Sequence, residues 1–238
     1  KGKYCSIYGT PVSRFSTKSS KEFRREINSH SGKQLYESDI NPIFRCLADN
    51  YLNAEAPTLH TAFFDIEVDF DPERGYSRPD DPFTPITAIT VYLDWLDRLV
   101  TFAMPPKHMS IETATEIGNK FDDTFMFERE EDLLKAFLEV IQDADVVSGW
   151  NSEGYDIPYT VLRITRILSK DDTRQLCLWD QLPKQREFER FGAKQITFDL
   201  IGRVHLDYMQ LYRKYTYEER HSYSLDSILD YEELGSKT

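Results

Sequence analysis

The apolar positions change their rhythm along the chain. LHTAFFDIEVDF at 59–70 is apolar and β-branched enough to predict a buried strand, and a Pro- and Asp-rich loop follows over 71–85. ITAITVYLD (86–94) and RLVTFAMP (98–105) predict two more strands, joined by a tight turn near 95–97. Leu133, Leu134, Phe137, Leu138 and Ile141 then recur at helical spacing, which predicts an amphipathic helix over 130–143. ADVVSGW (144–150) reads as a short buried strand, and Pro158 suits the first turn of the helix after it. Alternation about Gly192 predicts a long, charged β-hairpin over 184–200. A strand-to-helix passage over 204–215 and a short helix over 224–231 complete the pattern. Strands that first meander and then alternate with helices describe an α/β domain with a mixed sheet. Residues 1–57, which end at Ala56-Pro57, read as a small separate α+β unit.

At 238 residues with 40% apolar side chains, the chain can build a sizeable core, and disorder, collagen and coiled coil are excluded. No apolar run approaches the ~18 residues of a membrane span, so no membrane partner is expected. Cys5, Cys46 and Cys177 are odd in number and far apart, which suits a reducing, cytoplasmic compartment. A start at Lys1 and a polar Ser-Lys-Thr end suggest a piece of something longer. The net charge of −12 argues at first against a nucleic-acid partner. The charge is unevenly placed, however. Residues 59–157 hold 22 acidic against 7 basic side chains, whereas 1–58 carry +3 and 158–238 balance. Such a concentration is either a solvated face or a set of carboxylates gathered around cations.

Spacing separates these readings. Asp65 and Glu67 sit two apart on the first strand, so both project from one face, among Phe63, Phe64, Ile66 and Val68. Desolvation and mutual repulsion oppose their ionisation, and a divalent cation removes that penalty. Hard oxygen ligands suit Mg²⁺ or Mn²⁺. The plain alternative is an edge strand with one wet face. Asp156 adds a third carboxylate between a strand end and a helix, where ligands of α/β sheets collect, although an Asp in that place is often only a helix N-cap. Asn151 and Tyr155 flank it with an amide and a ring, ordinary turn and packing residues unless a nucleotide lies against them.

F-F-D-I-E-V at 63–68, followed by G-W-N-S-E-G-Y-D-I-P-Y at 149–159, resembles the first two exonuclease motifs of family B DNA polymerases. L-D-Y-M-Q-L-Y-R-K-Y (206–215), S-Y-S-L-D-S-I (222–228) and Y-G-T-P-V (8–12) look most like the T-even-type bacteriophage branch. The resemblance implies part of an N-terminal domain over 1–57. Over 58–238 it implies a C-terminally truncated 3′→5′ proofreading exonuclease domain with a ribonuclease-H-like mixed sheet. It further implies that Asp65, Glu67 and Asp156 are catalytic metal ligands, with two Mg²⁺ or Mn²⁺ ions in the complete domain. Asn151 and Tyr155 would bind the terminal nucleotide of DNA. The hairpin at 184–200 resembles an element that separates primer from template. Implied partners are the 3′ end of single-stranded DNA or a primer-template, the rest of the polymerase chain and, through the full-length protein, a sliding clamp. The location would be the host cytoplasm.

One departure concerns the fourth carboxylate, which the family supplies from a helical Tyr-x-x-x-Asp expected beyond Thr238. Tyr76 with Asp80 lies in the wrong place, and Tyr223 with Asp226 is one residue short. The polymerase motifs are likewise not in this stretch. The five histidines lack zinc spacing, Gly32-Lys33 lacks the remainder of a phosphate loop, and no G-x-S-x-G elbow is present. Arg186, Arg190 and Lys194 on the hairpin could touch phosphate, but Glu187 and Glu189 interleave with them. Two rivals stay open: a stand-alone nuclease of the same superfamily, and an inactive nuclease-like domain that only binds DNA or protein.

Overall fold

The computed structural model describes residues 3–190 and 192–235, apart from the Arg190 side chain. The chain divides into two compact units, Lys1–Pro57 and Thr58–Thr238. In the first, β1 (Tyr4–Cys5) pairs antiparallel with β2 (Pro11–Val12), and α1 (Ser20–Ser29) and α2 (Pro42–Tyr51) follow. Both helices start on side-chain caps. Ser19 accepts the Glu22 N–H while the Glu22 carboxylate reaches back to the Lys18 N–H, and Asn41 accepts the Ile43 N–H just ahead of Pro42. Neither helix buries a residue fully.

The second unit opens with β3 (Thr61–Val68), then a small hairpin of β4 (Phe70–Asp71) and β5 (Gly75–Tyr76), and then β6 (Ile86–Leu93) and β7 (Arg98–Ala103). Next come α3 (Ile111–Gly118), β8 (Thr124–Met126), α4 (Glu130–Val140), β9 (Val146–Gly149) and α5 (Asp156–Ile167). A hairpin of β10 (Lys184–Arg190) and β11 (Ala193–Asp199) precedes β12 (Val204–Asp207), α6 (Tyr208–Tyr215) and α7 (Leu225–Tyr231). Six strands form one mixed sheet in the order β12-β9-β3-β6-β7-β8. The β12-β9, β9-β3 and β7-β8 pairs are parallel, and the β3-β6 and β6-β7 pairs antiparallel. The β10-β11 hairpin stands as its own two-stranded sheet and turns at Gly192, whose φ is +72°. Among the described residues no helix is long and apolar enough to cross a membrane.

The strand expected to be buried is buried on one face only. Ala62, Phe64 and Ile66 enter the core, whereas Phe63, Asp65 and Glu67 line the opposite, accessible face. The period-2 alternation of a mixed sheet with one open face overrides the overall apolarity of the segment. On α4, Leu133, Leu134, Phe137 and Leu138 are buried, as their spacing predicts, and Ile141 packs just past the helix end. The short α3-β8 excursion carries no strong periodicity, and only its edge-strand pairing with β7 makes it regular.

The Pro- and Asp-rich loop is tied down along its length. Tyr159, fully buried on α5, donates its hydroxyl to the Thr84 carbonyl at 2.7 Å. Arg163 donates to the Pro82 carbonyl and forms a buried two-pronged pair with Glu130, both contacts at 2.6 Å. Glu130 also accepts the Ile86 N–H at 2.9 Å, so one carboxylate joins α4, α5 and the start of β6.

Candidate active site

Three elements converge beside the open face of β3. A bulge between Glu67 and Val68 ends the regular β3-β6 pairing just past the two acidic residues. Gly149 closes β9 and packs so tightly against β3 that a Cβ there would lie 2.6 Å from the Phe64 carbonyl oxygen. The chain then turns through 150–155 into α5. Asn151 takes a left-handed conformation in this turn, with φ +60°, which Asn tolerates better than most residues. Its carbonyl accepts the N–H groups of Gly154 and Tyr155, which carries the turn into the helix.

Asp156 is the first residue of α5 and is 3% exposed. It is not the helix cap. Its Oδ1 instead accepts the Ile66 N–H at 3.2 Å, which pins the start of α5 between Asp65 and Glu67 of β3. Burial, then the neighbouring negative charge of Asp65, and to a lesser degree Asp207, push the Asp156 carboxyl up to about 8. The desolvation that the sequence assigns to the strand pair therefore falls on Asp156, while Asp65 is half-buried and Glu67 exposed. Tyr155 is half-buried and stacks on Tyr159 with ring centroids 5.4 Å apart. Burial, together with the nearby Tyr159, Asp156 and Glu67, pushes its hydroxyl up to about 12 and keeps it protonated. Asp65, Glu67, Asp156 and Tyr155 thus share one electrostatic neighbourhood. The structure brings Asn151 to the same turn.

The family model for the exonuclease domain of family B DNA polymerases matches residues 21–228. The chain belongs to that family. It is similar to the DNA-directed DNA polymerase of Escherichia phage RB69, 29% identical over an alignment covering 97% of this chain and 28% of that polymerase. It is also similar to the DNA-directed DNA polymerase of Enterobacteria phage T4, at 24% identity over 99% of this chain and 28% of that protein. A 43% portion of the chain is 30% identical to part of the DNA polymerase delta catalytic subunit of Mesocricetus auratus, covering 10% of that subunit. The chain therefore spans between a quarter and a third of the length of the phage polymerases it matches. The six-stranded mixed sheet with its helices fits the ribonuclease-H-like architecture of these exonuclease domains.

Exonuclease domains of this family are metal-dependent. The donor chemistry here suits a hard divalent cation, because Asp156 is a buried carboxyl whose charged form is opposed by Asp65 and stabilised by added positive charge. Among the described residues no three His, Cys, Asp or Glu side chains already converge as a ligand cage. The acidic groups are gathered but are not preformed into a tight coordination shell.

Two cavities flank the 150–155 turn. One, of about 390 Å³, is walled by Trp150, Asn151 and Gly154, with Gln195 from the hairpin and with Met209 and Tyr223. The Trp150 indole N–H donates to the Tyr223 carbonyl at 2.9 Å, which holds that wall together. The other, of about 330 Å³, is lined by Glu153, Arg186, His205 and Asp207. Arg186 bridges Glu153 in the turn and Asp199 at the foot of the hairpin, so this hairpin cation is engaged by carboxylates. Lys194 faces Glu187 across the hairpin at 3.7 Å, and the Arg190 side chain lies outside the described residues.

Two features escaped sequence reasoning. Phe70 and Tyr76 are exposed rings 4.9 Å apart just past Glu67, and Tyr76 lies near Tyr155. The signal was slight: one aromatic closing the predicted strand and one in the Pro-rich loop after it. Asp207, 7% exposed at the end of β12, was legible only as part of L-D-Y-M-Q.

Proposed function

We propose that the chain is the proofreading part of a replicative DNA polymerase and hydrolyses the 3′-terminal phosphodiester of single-stranded DNA by a two-metal mechanism. The observation that carries this reading is the Asp156 carboxylate, buried at the N-terminus of α5 and hydrogen-bonded to Ile66 between Asp65 and Glu67. A buried carboxyl beside another acid is unfavourable for a fold on its own and favourable for one that binds cations.

Asp65, Glu67 and Asp156 would hold the ions, which supply an activated water and charge compensation at phosphorus and at the leaving 3′ oxygen. Asn151, fixed in its left-handed turn, offers an amide to the terminal nucleotide. Tyr155 keeps a protonated hydroxyl and so acts as a hydrogen-bond donor to phosphate or water. Phe70 and Tyr76 present open rings on which a frayed base can stack. The aromatic, amide-lined cavity between the turn and the hairpin suits a single strand better than a duplex. In this reading residues 1–57 belong to an N-terminal domain, and the hairpin helps part the primer end from its template. The remaining polymerase chain and a sliding clamp are partners, and the work is done in the host cytoplasm.

The test is hydrolysis of a 5′-labelled single strand in Mg²⁺ or Mn²⁺ by the polymerase carrying this domain, with Asp65→Ala beside it. Loss of a ligand's several kcal/mol of charge stabilisation predicts a drop of about 10²–10³-fold or more. Unchanged hydrolysis in Asp65→Ala would overturn the metal-ligand role of Asp65, and a wild type that binds DNA without any divalent-dependent cleavage would favour the binding-only domain.

A further inference from the structure

We propose that Asp207 is a positioning residue that holds the 150–155 turn, and so presents Asn151 and Asp156 to the DNA end. The role rests on the exonuclease reading above, but the geometry stands by itself. Asp207 closes β12 directly opposite Gly149 at the end of β9, so it sits where the turn leaves the sheet. Its Oδ1 accepts the Asn151 N–H and its Oδ2 accepts the Glu153 N–H, each at 3.2 Å. Oδ1 also accepts the Gln210 N–H at 3.2 Å and so caps α6.

These bonds answer a specific need. Past Gly149 the strand pairing stops, and the N–H groups of Asn151 and Glu153 lose their sheet partners. A buried N–H without an acceptor is costly, and Asn151 additionally holds φ +60°. A single carboxylate satisfies both N–H groups and joins the turn to α6. With three backbone donors on roughly four lone-pair positions, Asp207 has little capacity left for a metal ion. Asp207 is therefore not a substitute for the family's fourth carboxylate.

The experiment compares the 238-residue chain with Asp207→Asn, reading backbone amide exchange by NMR and the Kd for a fluorescent single-stranded DNA in Ca²⁺. Replacing one acceptor oxygen by NH₂ is expected to cut the exchange protection of Asn151 and Glu153 by about tenfold or more, the size expected for losing a bond to a charged acceptor. The same variant is expected to weaken DNA binding by about tenfold, and that loss should shrink to within about twofold in an Asn151→Gly background, because the two residues act as one unit. Asp207→Glu, which keeps the charge but displaces the oxygens, should resemble Asp207→Asn if the latter proves too unstable to assay. Unchanged protection overturns the positioning role, and so does a loosened turn that binds DNA as well as wild type. A wild-type chain with protected amides but no DNA affinity overturns the exonuclease reading, and the proposal with it.

Discussion

The Asp156 carboxylate and the Ile66 backbone N–H are 3.2 Å apart, and this one bond fixes the first turn of α5 against β3 between two acidic side chains. Asp156 is the most buried acid of the site; burial and the neighbouring Asp65 oppose its charge, and the Ile66 N–H only partly offsets them. The geometry links the sheet's alternation, which turns Asp65 and Glu67 to the open face, to the chemistry that a third acid makes possible.

That burial sets a pH dependence. In the folded chain Asp156 keeps its proton up to about 8, whereas the unfolded chain releases it near the ordinary value of 3.8. The folded form therefore binds more protons across this window, and its stability falls as pH rises from about 4 to about 8. Denaturant titrations of wild type and Asp156→Asn, without divalent ions, should show wild type losing stability relative to the variant over that range. Added Mn²⁺ should reverse part of the loss. Parallel pH curves for the two chains would show that Asp156 is not held neutral.

Gly149 is predicted to tolerate no side chain. A Cβ would stand 2.6 Å from the Phe64 carbonyl and 3.0 Å from the Ser152 Cβ, so Gly149→Ala must push β9 and the turn away from β3. The expected penalty is about 1–3 kcal/mol, the usual range for overpacking. Chemical denaturation measures it, and an unchanged midpoint would mean that the strands are not so closely opposed.

Arg163→Met is expected to destabilise the second unit by about 3–5 kcal/mol, because it leaves Glu130 buried and charged without its partner. Replacing both members, as Glu130→Leu with Arg163→Met, should recover part of that loss. Thermal melts of the single and double variants decide the matter. A harmless single variant would show the pair to be solvated.

The fold was legible where periodicity is strong. The α4 heptad-like spacing, the hairpin about Gly192 and the glycine-to-proline passage from β9 into α5 all have local signals, and the structure follows them. The helices of the first unit went unread although the Ser19-x-x-Glu22 capping box and Asn41-Pro42 mark their starts, because each is short and set in a mixed polar stretch. Nor was the partition of burial between Asp65, Glu67 and Asp156 legible. Composition shows that β3 is apolar, but only the pairing of β3 with both β6 and β9 decides which face is open. Asp207 escaped for a related reason: its partners lie more than 50 residues earlier, and a lone Asp before Tyr-Met-Gln looks like any helix cap.

The central claim is that Asp65, Glu67 and Asp156 together bind a divalent cation. The most direct measurement is anomalous scattering from crystals of this chain soaked in Mn²⁺. The account predicts a manganese peak, of partial occupancy at one position, bounded by those three carboxylates. A map with no peak at saturating Mn²⁺, or with its strongest peak on the solvated acids elsewhere in the chain, would contradict it.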